Sequence, residues 1–113
     1  MTTFQSYFEV QKALQNNSTS CFEITKGYLK KIAENTHLNA FVEIYKEEAI
    51  LKAKEVDEKI KKGISGRLAG MVIAIKDNIC YKGHKVSAAS KMLDGFESLF
   101  SATVIKRLIK EDA

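Results

Sequence analysis

A chain of 113 residues has room for one domain at most, or for a piece of a larger one. Hydrophobic residues make up 45% and charged residues 28%, the balance of an ordinary soluble globular protein. Its net charge of +4 comes from 18 basic and 14 acidic residues interspersed along the chain. No basic stripe forms, and no aromatic residues interleave with the lysines, so a nucleic-acid-binding module ranks last among the readings.

Other classes fall away as quickly. No apolar run approaches the roughly 20 residues that cross a membrane, and residues 1–10 contain Glu9 and no apolar core of a secretory signal. Cys21 and Cys80 have neither metal-ligand spacing nor the density of a disulfide framework. They read as small packing residues in a reducing, cytoplasmic compartment. Proline is absent, against an average of about 5%, which leaves Gly, Asn and Asp to punctuate the chain.

Phe4, Tyr7, Phe8 and Leu14 recur at helical spacing and predict an amphipathic helix ended by Asn16 and Asn17. Ser20 with Glu23 three residues later is a capping box. It opens a second helix with Cys21, Ile24, Tyr28 and Ile32 on one stripe. Residues 35–39 break the pattern, and His37 within that break is assigned no role. Residues 40–45 then alternate, Ala40, Val42 and Ile44 against Phe41, Glu43 and Tyr45, which predicts a strand.

From Lys46 the period lengthens to Ala49, Ala53, Val56 and Ile60, a third helix ended by Gly63. Glu48–Lys52, Glu55–Lys59 and Glu58–Lys62 are spaced four apart with the acid first, the favourable order. Gly63, Gly66 and Gly70 make no phosphate loop, because no Gly-Lys-Ser/Thr follows. Residues 72–76 predict a buried strand, and Gly83 predicts a turn within residues 81–85. The small run 87–90 (Ser87, Ala88, Ala89, Ser90) reads as a turn that satisfies its own backbone. Ser101 is a candidate N-cap for a last helix over residues 102–110, with Val104, Ile105 and Leu108 inward. Alternating helices and strands predict an α/β fold, helices packed on an incomplete mixed sheet.

Lys76 is the candidate for chemistry. It directly follows Val72, Ile73, Ala74 and Ile75, and an ammonium at the end of a buried apolar strand loses hydration, which favours its neutral form. A lysine that reaches the neutral state can move protons. The plainer reading is a lysine emerging into solvent with its stem on apolar surface. Position alone leaves both open.

The segments GRLAGMVIAIKDN (residues 66–78), ICYKGHKVSAASKML (79–93) and FSATVIKRLIKEDA (100–113) resemble the amidase signature family, and LNAFVEIY (38–45) is similar to the preamble of those enzymes. Lys76-Asp77-Asn78, Lys82-Gly83 and Ala89-Ser90-Lys91 resemble most the glutamine-hydrolysing branch that serves tRNA-dependent amidotransfer. One departure is Val72, where the family carries a proline. The resemblance implies a Ser–cis-Ser–Lys mechanism in which Lys76 is the catalytic lysine, taking a proton from a bridging serine that deprotonates the nucleophile.

The resemblance also implies that residues 1–113 are the N-terminal portion of one amidase domain, stopping before the glycine- and serine-rich signature that carries both catalytic serines. None of Ser65, Ser87, Ser90, Ser98 or Ser101 is therefore assigned their role, and the piece is expected to be inactive alone. No cofactor is expected in this chain; ATP and Mg belong to the whole assembly. The expected partners are the amidotransferase subunits B and C, glutamine and a mischarged tRNA, with no membrane. Two other readings stay open: a piece of an amidase acting on small amides, and a non-catalytic interaction module.

Overall fold

A computed structural model describes residues 3–113. Four α-helices are present among them: α1 (Tyr7–Gln15), α2 (Cys21–Glu34), α3 (Lys46–Lys61) and α4 (Thr103–Lys110). Single 3-10 turns stand at Thr36–Leu38 and Lys91–Leu93. The chain divides into two units. One runs up to Val72 and takes in Glu111–Ala113; the other is Ile73–Lys110.

In the first unit the helix starts follow the local signals. Ser6 accepts the Glu9 N–H at 3.3 Å to start α1, and Ser20 accepts the Glu23 N–H at 3.1 Å to start α2, as the capping box predicts. A second cap on α2 comes from α3, whose Asp57 carboxylate accepts the N–H groups of Cys21 at 2.7 Å and Phe22 at 3.0 Å. Those donors have no partner inside their own helix, so the aspartate satisfies them and fixes α2 on α3 together.

At its other end α3 closes with a Schellman motif: Ile64 N–H donates to the Lys59 carbonyl and Gly63 N–H to that of Ile60, both at 3.0 Å. Gly63 takes φ +70° there. Of the expected i,i+4 pairs, Glu55–Lys59 forms at 3.2 Å, while Lys61 rather than Lys62 reaches Glu58, at 2.7 Å.

Val10, Leu14, Cys21, Ile24, Ala53, Val56 and Ala69 form the core of this unit, with Phe4, Tyr7 and Ile60 packed around it. Tyr28 of the predicted α2 stripe stays exposed. Cys21 is 3% exposed, and burial, with the Asp57 carboxylate beside it, pushes its thiol up to about 12. Thiolate is the reactive form. Alkylation at pH 8 under native conditions is therefore expected to modify half-buried Cys80 and spare Cys21. Mass mapping of the adducts checks this, and Cys21 labelled as fast as Cys80 would contradict it.

Glu111 and Asp112 clasp this unit. The Glu111 carbonyl accepts the Leu68 N–H at 2.8 Å, and its carboxylate accepts the Arg67 N–H at 3.0 Å. The Asp112 carboxylate, 5% exposed as a residue, accepts the Gly66 N–H at 2.8 Å and Lys59 Nζ at 2.7 Å. Lys52 Nζ stands 3.8 Å away. Gly66 permits this approach: a Cβ on it would lie 2.6 Å from the Glu111 Cα and closer still to the carbonyl carbon.

The second unit is mostly turns. Gly83, at φ +77°, turns the chain as expected, and its N–H donates to the Ser98 carbonyl at 2.9 Å. Ser98 N–H donates to the His84 carbonyl and Val86 N–H to that of Phe96, which fastens residues 83–86 to residues 96–98. α4 begins on the Ala102 carbonyl, which accepts the Lys106 N–H at 3.1 Å. Ser101 is not its cap; that hydroxyl accepts the Lys82 N–H at 3.0 Å. Ile105 is buried and Leu108 half-buried, but Val104 is 51% exposed rather than inward.

The largest correction concerns the sheet. No strand is present among the described residues, and the one pairing of extended backbone is an isolated antiparallel bridge between Lys85 and Glu97. The strands predicted at residues 40–45 and 72–76 are irregular, so the helical half of the α/β expectation is present and the mixed sheet is not. A strand exists through ladder bonds to a neighbour, and neither segment has one here. Phe41, Val42, Ile44 and Tyr45 accordingly remain exposed.

Candidate active site

Lys76 lies in the second unit at the end of the irregular segment, and its side chain is exposed. Val72, Ile73 and Ile75 are 43, 38 and 40% exposed. Desolvation by a buried strand, the expectation for this lysine, is therefore not met in this structure. Unpaired apolar backbone leaves its terminal side chain open to water.

The residues after Lys76 are held firmly. The Lys76 carbonyl accepts the Ile79 N–H at 3.0 Å, and the Asp77 carbonyl accepts the Ala88 N–H at 2.9 Å. The Asp77 carboxylate accepts the Ser87 N–H at 3.1 Å on one oxygen and the Ser87 hydroxyl, in a short bond, on the other. The Ser87 hydroxyl, with the N–H groups of Ser87, Ala89 and Ala88, holds the Asp77 carboxyl below its ordinary value. The turn of residues 87–90 closes on itself as predicted, the Ser90 N–H donating to the Ser87 carbonyl at 2.8 Å, and it is filled in addition by a carboxylate ten positions earlier. Ala88 and Ala89 sit at φ +48° and +59° inside it.

Three further polar side chains of this unit are engaged within it. The Ser98 hydroxyl is buried and donates to the Phe100 carbonyl at 2.7 Å. The Tyr81 and His84 rings stack at 3.8 Å and 11°, and His84 Nδ1 lies 2.9 Å from the Lys82 carbonyl. No group of three or more His, Cys, Asp and Glu side chains among the described residues is arranged to hold a metal. Two hollows measure about 180 and 240 Å³, both in the first unit and neither lined by Lys76. Both fall below the roughly 300 Å³ at which small-molecule pockets begin.

Around position 76 the geometry is that of an exposed lysine whose main chain is fixed on its C-terminal side to a turn of small residues. The family model described as Amidase matches residues 23–113, so the chain belongs to the amidase family. Its similarity to individual proteins runs almost end to end. It is 40% identical over 111 residues, 97% of the chain, to a protein of Chlorobium phaeobacteroides named as the A subunit of glutamyl-tRNA(Gln) amidotransferase. Proteins of the same name from Chlorobaculum tepidum and Cenarchaeum symbiosum are 41% identical over 111 residues and 40% over 110. The chain spans only 22–23% of the length of these relatives. No described helix is long and apolar enough to cross a membrane.

Proposed function

We propose that this chain is the N-terminal part of the glutamine-hydrolysing subunit of a cytoplasmic tRNA-dependent amidotransferase, and that Lys76 is its catalytic base. The observation that supports this most is similarity of about 40% over 97% of the chain to proteins of that name. In the complete protein Lys76 would accept a proton from a bridging serine, which activates a second serine to attack the side-chain amide of glutamine. Hydrogen-bond donors aimed at the developing oxyanion would come with those serines, outside residues 1–113. The same proposal has further strands covering residues 72–76, because only a dry amine reaches the neutral state the relay needs. Released ammonia would pass to the B and C subunits, where ATP with Mg activates the glutamate of a mischarged tRNA.

The test is ammonia release from glutamine by the full natural chain with its partner subunits, beside the same assay on simple aliphatic and aryl amides. Glutamine hydrolysis stimulated by the partners and by charged tRNA is the expected result. Efficient turnover of simple amides without partners, and none of glutamine, would point instead to a stand-alone amidase. The chain of residues 1–113 alone is expected to release no ammonia above buffer.

A further inference from the structure

We infer that Asp77 is the positioning residue for Lys76: its carboxylate, seated in the turn of residues 87–89, is the anchor that fixes the lysine. This rests on the proposed role of Lys76 as base. A lysine amine sits at the end of four methylenes, so its placement is only as good as that of its backbone. On the N-terminal side there is no anchor, since the backbone of residues 72–75 makes no hydrogen bond among the described residues. On the C-terminal side the Asp77 carbonyl and both of its carboxylate oxygens are engaged by Ser87 and Ala88.

The turn itself shows that this attachment carries weight. Two successive alanines in the left-handed region are both strained, and such residues persist only where their surroundings over-determine them. Successive N–H groups in this conformation make a concavity that binds an anion. Here the occupant is Asp77, whose carboxylate accepts the Ser87 N–H at 3.1 Å and whose carbonyl accepts the Ala88 N–H at 2.9 Å. The Ser87 hydroxyl completes the seat. Removing either the charge or the hydroxyl would loosen the turn, and with it the direction in which Lys76 leaves the main chain.

Four variants in the full natural chain with its partners test this: Asp77→Asn, Ser87→Ala, Ser87→Thr and Lys76→Ala. Asp77→Asn is expected to lower kcat for glutamine about 10- to 100-fold with KM unchanged, the scale of a reacting group displaced by about an ångström. Ser87→Ala should lower kcat in the same direction by less, and Ser87→Thr, which keeps the hydroxyl, should restore it. Should Asp77→Asn fail to fold, the Ser87 pair decides alone. An inactive Lys76→Ala variant beside Asp77 and Ser87 variants with wild-type kcat overturns the positioning role and leaves the base standing. Loss that follows only the unfolded fraction, or that Ser87→Thr does not restore, also overturns it. A fully active Lys76→Ala variant removes the base itself.

Discussion

Lys76→Ala in the full natural chain is expected to lower glutamine turnover by about a thousandfold or more, with folding and association with the partners unchanged. A group that shuttles a proton in the rate-limiting step contributes about 10²–10⁴-fold, and members of a relay fail together when one is removed. The side chain is exposed and makes no ion pair or hydrogen bond among the described residues, so its removal leaves no buried group orphaned. Lys76→Arg sharpens the test. Arginine keeps the charge and the apolar stem but cannot deprotonate, so a base role predicts an equally inactive enzyme. An Arg variant with near wild-type kcat would show that position 76 supplies charge alone. Steady-state kcat and KM for glutamine, with circular dichroism on each variant, separate these outcomes.

The parts of the molecule legible in the sequence are those whose physics is local. Ser20 and Glu23 are three residues apart, Gly63 needs only its own helix end, and the stripe of Ala53 and Val56 requires only a period. Partners distant in sequence defeated the rest. Ser101 has the right residue type for a cap, but its hydroxyl serves Lys82, 19 positions away. Residues 40–45 and 72–76 have the alternation or apolar run of strands, yet a strand is a property of two segments and each here is alone. The Asp77–Ser87 seat escaped for another reason. Left-handed backbone is ordinarily announced by Gly or Asn, and the alanines at positions 88 and 89 give no such sign. Lys76 stands out in the sequence by its setting and by family resemblance, and the setting supplies only half the argument, since the buried strand expected before it is not formed in these residues.

The clasp of Glu111 and Asp112 carries the largest expected effect on stability, and Gly66→Ala should show it. The added methyl meets main chain rather than a side chain that can rotate away, so the cost belongs near the upper end of overpacking, about 3 kcal/mol, and Tm falls on the order of 10 °C. Gly63→Ala is the comparison: nothing lies within 4 Å of its Cβ position, and only the left-handed penalty of about 1–2 kcal/mol applies. Equal losses at the two glycines would mean that the close approach at Glu111 does not hold in solution.

Charge in the same clasp is isolated by Asp112→Asn, because asparagine also accepts a residue at φ +64°. Burial alone would raise the Asp112 carboxyl, but hydrogen bonds from Lys59 and the Gly66 N–H, with the charges of Lys59 and Lys52, hold it below its ordinary 3.8. A carboxyl depressed by folding stabilises above its unfolded value and ceases to do so as pH falls through the folded one. The wild type should thus exceed Asp112→Asn by about 1–2 kcal/mol at pH 7, a figure kept low because Lys59 is one-third exposed. That gap should stay constant down to about pH 5 and close below pH 3.8. At the alkaline end the sign reverses. Lys59, raised above 10.5 by Asp112 and Glu55, stabilises fully below that value and loses its contribution as pH climbs past it. Urea unfolding of both proteins across this range reads the window directly, and a gap that persists unchanged at pH 3 would remove the ion pair as its cause.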